Sequence, residues 1–156
     1  MKTFFAFLTC IIFINNAFAQ DKKTYYNDRY YYSIEYPKEF IAQGESDSKD
    51  GQSFIRKDKK ARLTVCKDFR EFLFDNINIA KTESFKEDCQ SKDGKIITYK
   101  KEGSKFYVIS GTIGNIIFYQ KTIISSAGLV TAYIEYDKSL SSIYNDYCTY
   151  LFNTFK

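Results

Sequence analysis

The sequence has 156 residues but no histidine and no tryptophan, and only one proline and one methionine. Without an imidazole, the Ser-His-Asp and Cys-His routes to a nucleophile are closed, as is every metal site that takes a histidine ligand. Charge of either sign is not in large excess: 23 Lys plus Arg stand against 19 Asp plus Glu, a net +4 that does not call for a nucleic-acid partner. Aromatic residues are abundant, with 14 Tyr and 15 Phe, and hydrophobic residues make up 44% of the chain. That suffices for the core of one domain, and the chain is too short for two.

The first stretch, MKTFFAFLTCIIFINNAFAQDKK, has the order of a secretory leader. Lys2 supplies the positive start, residues 4–14 the apolar run, and Ala17-Phe18-Ala19 the small-residue cleavage signal. The run is too short to span a bilayer, and no later stretch approaches the ~20 apolar residues of a membrane helix. Leu8-Thr9-Cys10 is a poor lipobox, because Thr precedes the Cys and the apolar run continues past it. The expected organisation is a signal peptide at residues 1–19 cleaved after Ala19, a flexible arm at 20–29 and one globular domain at 30–156, secreted or periplasmic, with no transmembrane segment in the mature chain.

Three cysteines follow the leader: Cys66, Cys89 and Cys148. In an oxidising compartment at most two of them can pair, with one thiol left over, and spacing does not choose the pair; the alternative is three small buried hydrophobic side chains with no bridge. Scattered cysteines without histidine do not make a zinc site, so no metal or cofactor is expected.

Period-2 alternation dominates what remains. Tyr30, Tyr32, Ile34 and Tyr36 alternate with Tyr31, Ser33 and Glu35, and Pro37 ends that strand. Residues 43–51, QGESDSKDG, read as a polar loop. Residues 52–56 and 61–67 read as a hairpin about a charged Lys57-Asp58-Lys59-Lys60 turn. In residues 70–90, Phe72, Leu73, Ile77, Ala80 and Phe85 fit helical spacing and read as one helix or two short ones. Four strands follow, joined by turns at Gly103, Gly114-Asn115 and residues 125–128, and short connections make them antiparallel. From Ser139, a fair N-cap, Leu140, Ile143, Tyr144, Tyr147, Cys148, Leu151 and Phe155 form one apolar helical stripe. Strand runs flanked by separate helices define an α+β fold, an antiparallel sheet of about six to seven strands with helices packed on its faces.

Tyr36-Pro37, Gly44-Glu45, Asp50-Gly51-Gln52 and Ala61-Arg62-Leu63-Thr64-Val65 open this pattern. Ile97-Thr98-Tyr99-Lys100, the run from Phe106 to Gly111, the run from Ile117 to Thr122, Ile134-Glu135-Tyr136 and Thr154-Phe155 close it. In these motifs the chain resembles a group of small exported bacterial proteins, and it is similar in architecture to the Mog1/PsbP-like proteins. The resemblance covers residues 30–156 and rests on structural punctuation. Asp137 departs from the Tyr-Pro of such relatives. It implies an α/β/α sandwich and mostly proteins of unassigned role; the two proteins that name the architecture bind a small GTPase and a photosystem, and neither partner transfers to this chain.

Several constellations invite a chemical reading. Glu45, Asp47 and Asp50 lack the spacing of a calcium loop. Ser46-Asp47-Ser48-Lys49 has the S-x-x-K composition but lies in a turn-forming run. Arg56, Lys57, Lys59, Lys60 and Arg62 read as a solvated hairpin tip that blocks edge aggregation. Tyr25, Tyr26, Tyr30, Tyr31, Tyr32 and Tyr36 offer ring faces, half of which should pack inward. Lys67, the cation beside Cys66, points to the other face of its strand, so no reactive thiol is expected. The expected contact surface is therefore Tyr31 together with the outer faces of Tyr107, Tyr119 and Tyr133, on a non-enzymatic envelope domain that touches an envelope or extracellular protein. The alternative is a carboxylate-based ligand-binding or hydrolytic protein, which would need two acids converging in one deep pocket.

Overall fold

The computed structural model describes residues 21–92 and 94–155. The expected leader and its cleavage site lie outside the described residues. The chain runs β1 (Lys22–Asn27), β2 (Tyr32–Pro37), β3 (Phe40–Glu45), β4 (Gly51–Arg56), β5 (Ala61–Lys67), a short 3₁₀ segment (Phe69–Leu73), α1 (Ile77–Asp88), β6 (Lys95–Glu102), β7 (Phe106–Ile113), β8 (Ile116–Ser125), β9 (Gly128–Asp137), a 3₁₀ turn (Lys138–Leu140) and α2 (Ser141–Thr154). Seven strands form one antiparallel sheet in the order β3-β4-β5-β9-β8-β7-β6, and β1 and β2 pair separately. The fold is α+β, with the four-strand meander β6–β9 and the β4–β5 hairpin where alternation placed them.

Two strands were not expected. The expected arm at residues 20–29 is, over its described residues 21–29, not loose. Its residues 22–27 form β1, in register with β2 from Lys22 opposite Pro37 to Asn27 opposite Tyr32. Tyr25 sets its ring edge-on to Tyr32 and Phe54, with centroids 6.2 and 5.7 Å away. Asn27 is fully buried and its amide donates to the Tyr25 hydroxyl (2.9 Å) and the Lys49 carbonyl (3.0 Å). A buried amide with its partners supplied fixes the backbone as firmly as an apolar contact does. The loop at residues 43–51 likewise yields its first three residues to β3, an edge strand. Only Phe40 of β3 is buried, against Tyr144, so the strand is held by that one anchor and by backbone pairing with β4 and carries no apolar alternation.

α2 and the β1–β2 hairpin cover one face of the sheet. Tyr144, Tyr147, Cys148, Leu151 and Phe155 pack onto a core that includes Leu63, Val65, Ala132, Ile134 and Tyr136, as the helical stripe required. Ile143, counted in that stripe, is exposed. Ser139 does not cap α2. Its N–H is accepted at 2.8 Å by Asp137, which caps the preceding 3₁₀ turn, and α2 starts at Ser141. At the other end of α2 the buried Lys121 ammonium donates to the carbonyls of Phe152 and Phe155, placing a cation on the negative end of the helix. α1, capped by Asn76, lies against the opposite face, where Phe85 meets Tyr107 at 5.4 Å.

Candidate functional site

Directly after β5 the usual rule of burial is inverted. Asp68 caps the Phe69–Leu73 segment by accepting the Arg70 N–H at 3.0 Å. The charged side chains of this short turn point in. Glu71 pairs with Lys67, whose own side chain is almost wholly buried, and also accepts the backbone N–H of Leu129. Gly128, at φ +99°, makes this docking possible: a Cβ there would overlap the Glu71 carboxylate and the Lys67 ammonium.

Arg70 reaches further, onto the α1 face. Its guanidinium holds Asp68 through three contacts of 2.6 to 3.1 Å and Asp88 through two, at 2.8 and 3.1 Å. The Tyr107 hydroxyl and the Gln120 amide each donate to the same Asp88 oxygen at 2.6 Å. Burial by itself would raise the Asp88 pKa, but hydrogen bonds from Arg70 and Tyr107 outweigh it and hold the carboxyl below its ordinary value. Burial, followed by the Asp88 charge, drives the Tyr107 hydroxyl far up, so it stays a donor.

With the charges facing inward, the apolar side chains face water. Phe72 and Leu73 are 73% and 75% exposed. Phe69 stacks on Phe72 at 6.1 Å, and Tyr30 meets Phe69 edge-on at 6.1 Å. The buried Lys67 ammonium lies 5.7 Å from the Phe72 ring centre and 6.0 Å from that of Tyr30, within cation–π range of both. The ridge is thus pinned from below by a charge that has its own carboxylate.

The residues expected to form a contact surface are not gathered in one place. Tyr31, 69% exposed at φ +52°, sits next to Tyr30 at the edge of the ridge. Tyr133 is half-buried and stacks on Phe118 at 6.0 Å. Tyr107 and Tyr119 are buried, contrary to expectation: Tyr107, Val108 and Ile109 are all fully buried, because a strand covered on both sides has no outer face. Of the six N-terminal tyrosines, Tyr25, Tyr32 and Tyr36 pack inward and Tyr26 and Tyr31 face out, close to the expected half.

Phe69, Phe72 and Leu73 were not expected at the surface. The signal for them was present: Asp68 followed three residues later by Glu71 is the pattern of a separate helix start, which detaches Phe72 and Leu73 from the α1 stripe.

Of the two readings open for Cys66, Cys89 and Cys148, one bridge or three unpaired side chains, the structure has the second: all three are free thiols. Cys148 lies on α2, 3.7 Å from the Tyr136 hydroxyl, while Cys66 projects from β5 to the other side of the sheet. Cys89 ends α1 beside β6, four strand spacings from β5, or ~19 Å, far beyond disulfide reach. Burial pushes Cys66 up to about 11 and Cys148 up to about 12, away from thiolate chemistry.

The opposed acids Asp68 and Asp88 do not make a catalytic pair, since both are occupied by Arg70. Asp50 is engaged by Ser46 within its turn, and among the described residues no group of three or more Cys, Asp or Glu is placed to hold a metal ion. No helix among the described residues is long and apolar enough to cross a membrane.

A seven-stranded antiparallel sheet between α1 and α2, with a separate N-terminal hairpin, is the Mog1/PsbP-like α+β architecture. A solved structure similar to this chain is the solution structure of cyanobacterial PsbP (CyanoP) from Synechocystis sp. PCC 6803, with a TM-score of 0.58 and 12% sequence identity over 96% of this chain and 98% of that one. At that identity the likeness is one of fold. No family model and no curated protein matches the sequence.

Proposed function

We propose that this protein is an exported, non-enzymatic accessory domain of the bacterial cell envelope, acting by contact with an envelope or extracellular protein. The observation that carries this reading is the inverted segment after β5. Exposing Phe72 and Leu73 while Glu71 and Arg70 are drawn inside costs solvation at both ends, and contiguous exposed apolar groups of this kind mark contact surfaces. The ridge is also pre-organised, because Lys67, Glu71, Arg70 and the Leu129 N–H fix its backbone, which lowers the ordering cost of binding. Tyr30 and Tyr31 extend it with rings suited to a half-wet interface. The partner surface is an apolar recess that accepts two aromatic rings and a leucine.

The test is affinity capture from envelope extract with the native chain and with a Phe72→Ser, Leu73→Ser double variant. A protein held by the native chain and lost by the double variant, with circular dichroism unchanged, supports the reading. Equal recovery by both contradicts it. Intact-mass analysis of the exported chain tests cleavage after Ala19.

A further inference from the structure

The face of the sheet beneath α2 is covered unevenly. The β1–β2 hairpin lies over β4, where Tyr25 and Tyr36 meet Phe54. Toward β6 the covering stops, and a groove of about 380 Å³ opens between α2 and the strands. Its floor is one cross-strand row: Tyr99 on β6 lies opposite Ser110 on β7, which lies opposite Tyr119 on β8. Ser110 is the small member between two tyrosines, and the depression follows from that. Cys148, Thr149 and Phe152 of α2 form the wall. From β6 to β9 the groove crosses three strand spacings, ~14 Å.

Two chemical features set this groove apart from a packing defect. Tyr119 is 8% exposed, and its hydroxyl is sealed from solvent without a hydrogen-bond partner. Buried polar groups are almost always paired, so an orphan hydroxyl in the floor of an open groove is a donor without its acceptor. The charge in the lining is one-sided. Lys101 is the one ionic residue among those lining the groove, and no carboxylate joins it. Its ammonium stands 5.3 Å from the Phe152 ring centre at the β6 end.

From this geometry we infer that the groove is a binding site for an amphipathic carboxylic acid, with its hydrocarbon body along the Tyr99–Ser110–Tyr119 row and its head at Lys101. The apolar lining fits the body, and the single cation selects an anionic head over a neutral or cationic one. The orphan Tyr119 hydroxyl, sealed beneath the row, gains an acceptor only if Tyr99 and Tyr119 move apart as the head settles at Lys101. The groove shares no residue with the Phe72 ridge, so this site stands or falls independently of partner docking there.

Straight-chain acids are the probe. Calorimetric titration of the full chain with hexanoate, octanoate, decanoate and dodecanoate should show affinity rising about fourfold per methylene, then levelling once the chain exceeds the ~14 Å groove. Decanol should bind several-fold more weakly than decanoate. Lys101→Gln should weaken decanoate about three- to fivefold and leave decanol unchanged. Thr149→Trp, made at an exposed position on the groove wall, should abolish both without disturbing the core. Decanol binding as tightly as decanoate would overturn the assignment. Decanoate binding that survives Thr149→Trp would do so as well, since the acid would then be held elsewhere, and no binding by any of the four acids would end it.

Discussion

The two faces of the sheet are held by different forces. Under α2 and the β1–β2 hairpin the contact is apolar at its centre, with the buried Lys121 ammonium only at the end of the helix: Phe54, Leu63, Val65, Ile134, Tyr144, Tyr147 and Leu151 are buried to 1% exposure or less. Under α1 it is polar at its centre, with Arg70, Asp68, Asp88, Tyr107 and Gln120 in one network and Lys81 bonded to Glu102 and the Gly103 carbonyl at 2.6 and 2.8 Å. An apolar face tolerates small shifts, since dispersion and burial are not directional. A charge network does not, because losing one member leaves another buried without a partner. The second kind of packing is what fixes the Phe69–Leu73 segment in a single pose with its aromatic rings outward.

This contrast can be broken from either side. The largest effect is expected on the apolar face, where Phe54→Ala should cost ~3–5 kcal/mol by denaturant unfolding, with no unusual pH dependence. Next is Arg70→Leu, which strands Asp68 and Asp88. The loss should be ~2–3 kcal/mol at neutral pH, below the full value for a buried pair because Arg70 is partly exposed. Its pH profile is diagnostic. In the native chain Asp88 titrates below its ordinary 3.8, so its stabilisation is complete above that pH and is lost as pH falls through the lower folded value. Without Arg70 the burial cost of the Asp88 carboxylate loses its largest offset and the folded pKa moves up, so the destabilisation should be largest where the carboxyl is ionised and shrink toward acid. A pH-independent loss would show that Arg70 acts through packing alone. Tyr107→Phe removes one donor to Asp88 and should cost ~1–2 kcal/mol, mostly at neutral pH. Smallest is the Phe72→Ser, Leu73→Ser pair, which should cost less than ~1 kcal/mol, because both side chains are mostly exposed and only the stacking of Phe72 on Phe69 and its contact with the Lys67 ammonium are lost.

The difference between the faces also accounts for what the sequence made legible. Apolar periodicity reports burial against another apolar surface, so β2, β7, β8, β9 and the α2 stripe could be read directly. It is blind to segments held by polar contacts. β1 is fixed by Asn27 and by ring contacts of Tyr25 inside a polar run, and β3 by edge pairing with Phe40 as its single core anchor. Periodicity also cannot say which side of a short apolar stretch faces in, so it gives one helix or two short ones over residues 70–90 and leaves unread that Glu71 and Arg70, not Phe72 and Leu73, occupy the inward positions. Alternation also puts Tyr107 and Tyr119 on an outer face that does not exist, because in a strand covered on both sides it separates two interiors. The orphan Tyr119 hydroxyl and the one-sided charge of its groove depend on cross-strand register and are invisible along the chain.

The inverted segment is the central claim, and site-directed photo-crosslinking in cells that export the protein tests it most directly. A photoreactive phenylalanine analogue placed at position 72, and separately at the exposed Ile41 on β3, reports what each surface touches. A discrete protein adduct at position 72 and none at position 41 is the expected result. No adduct at position 72, or the same adducts at both positions, would contradict the account.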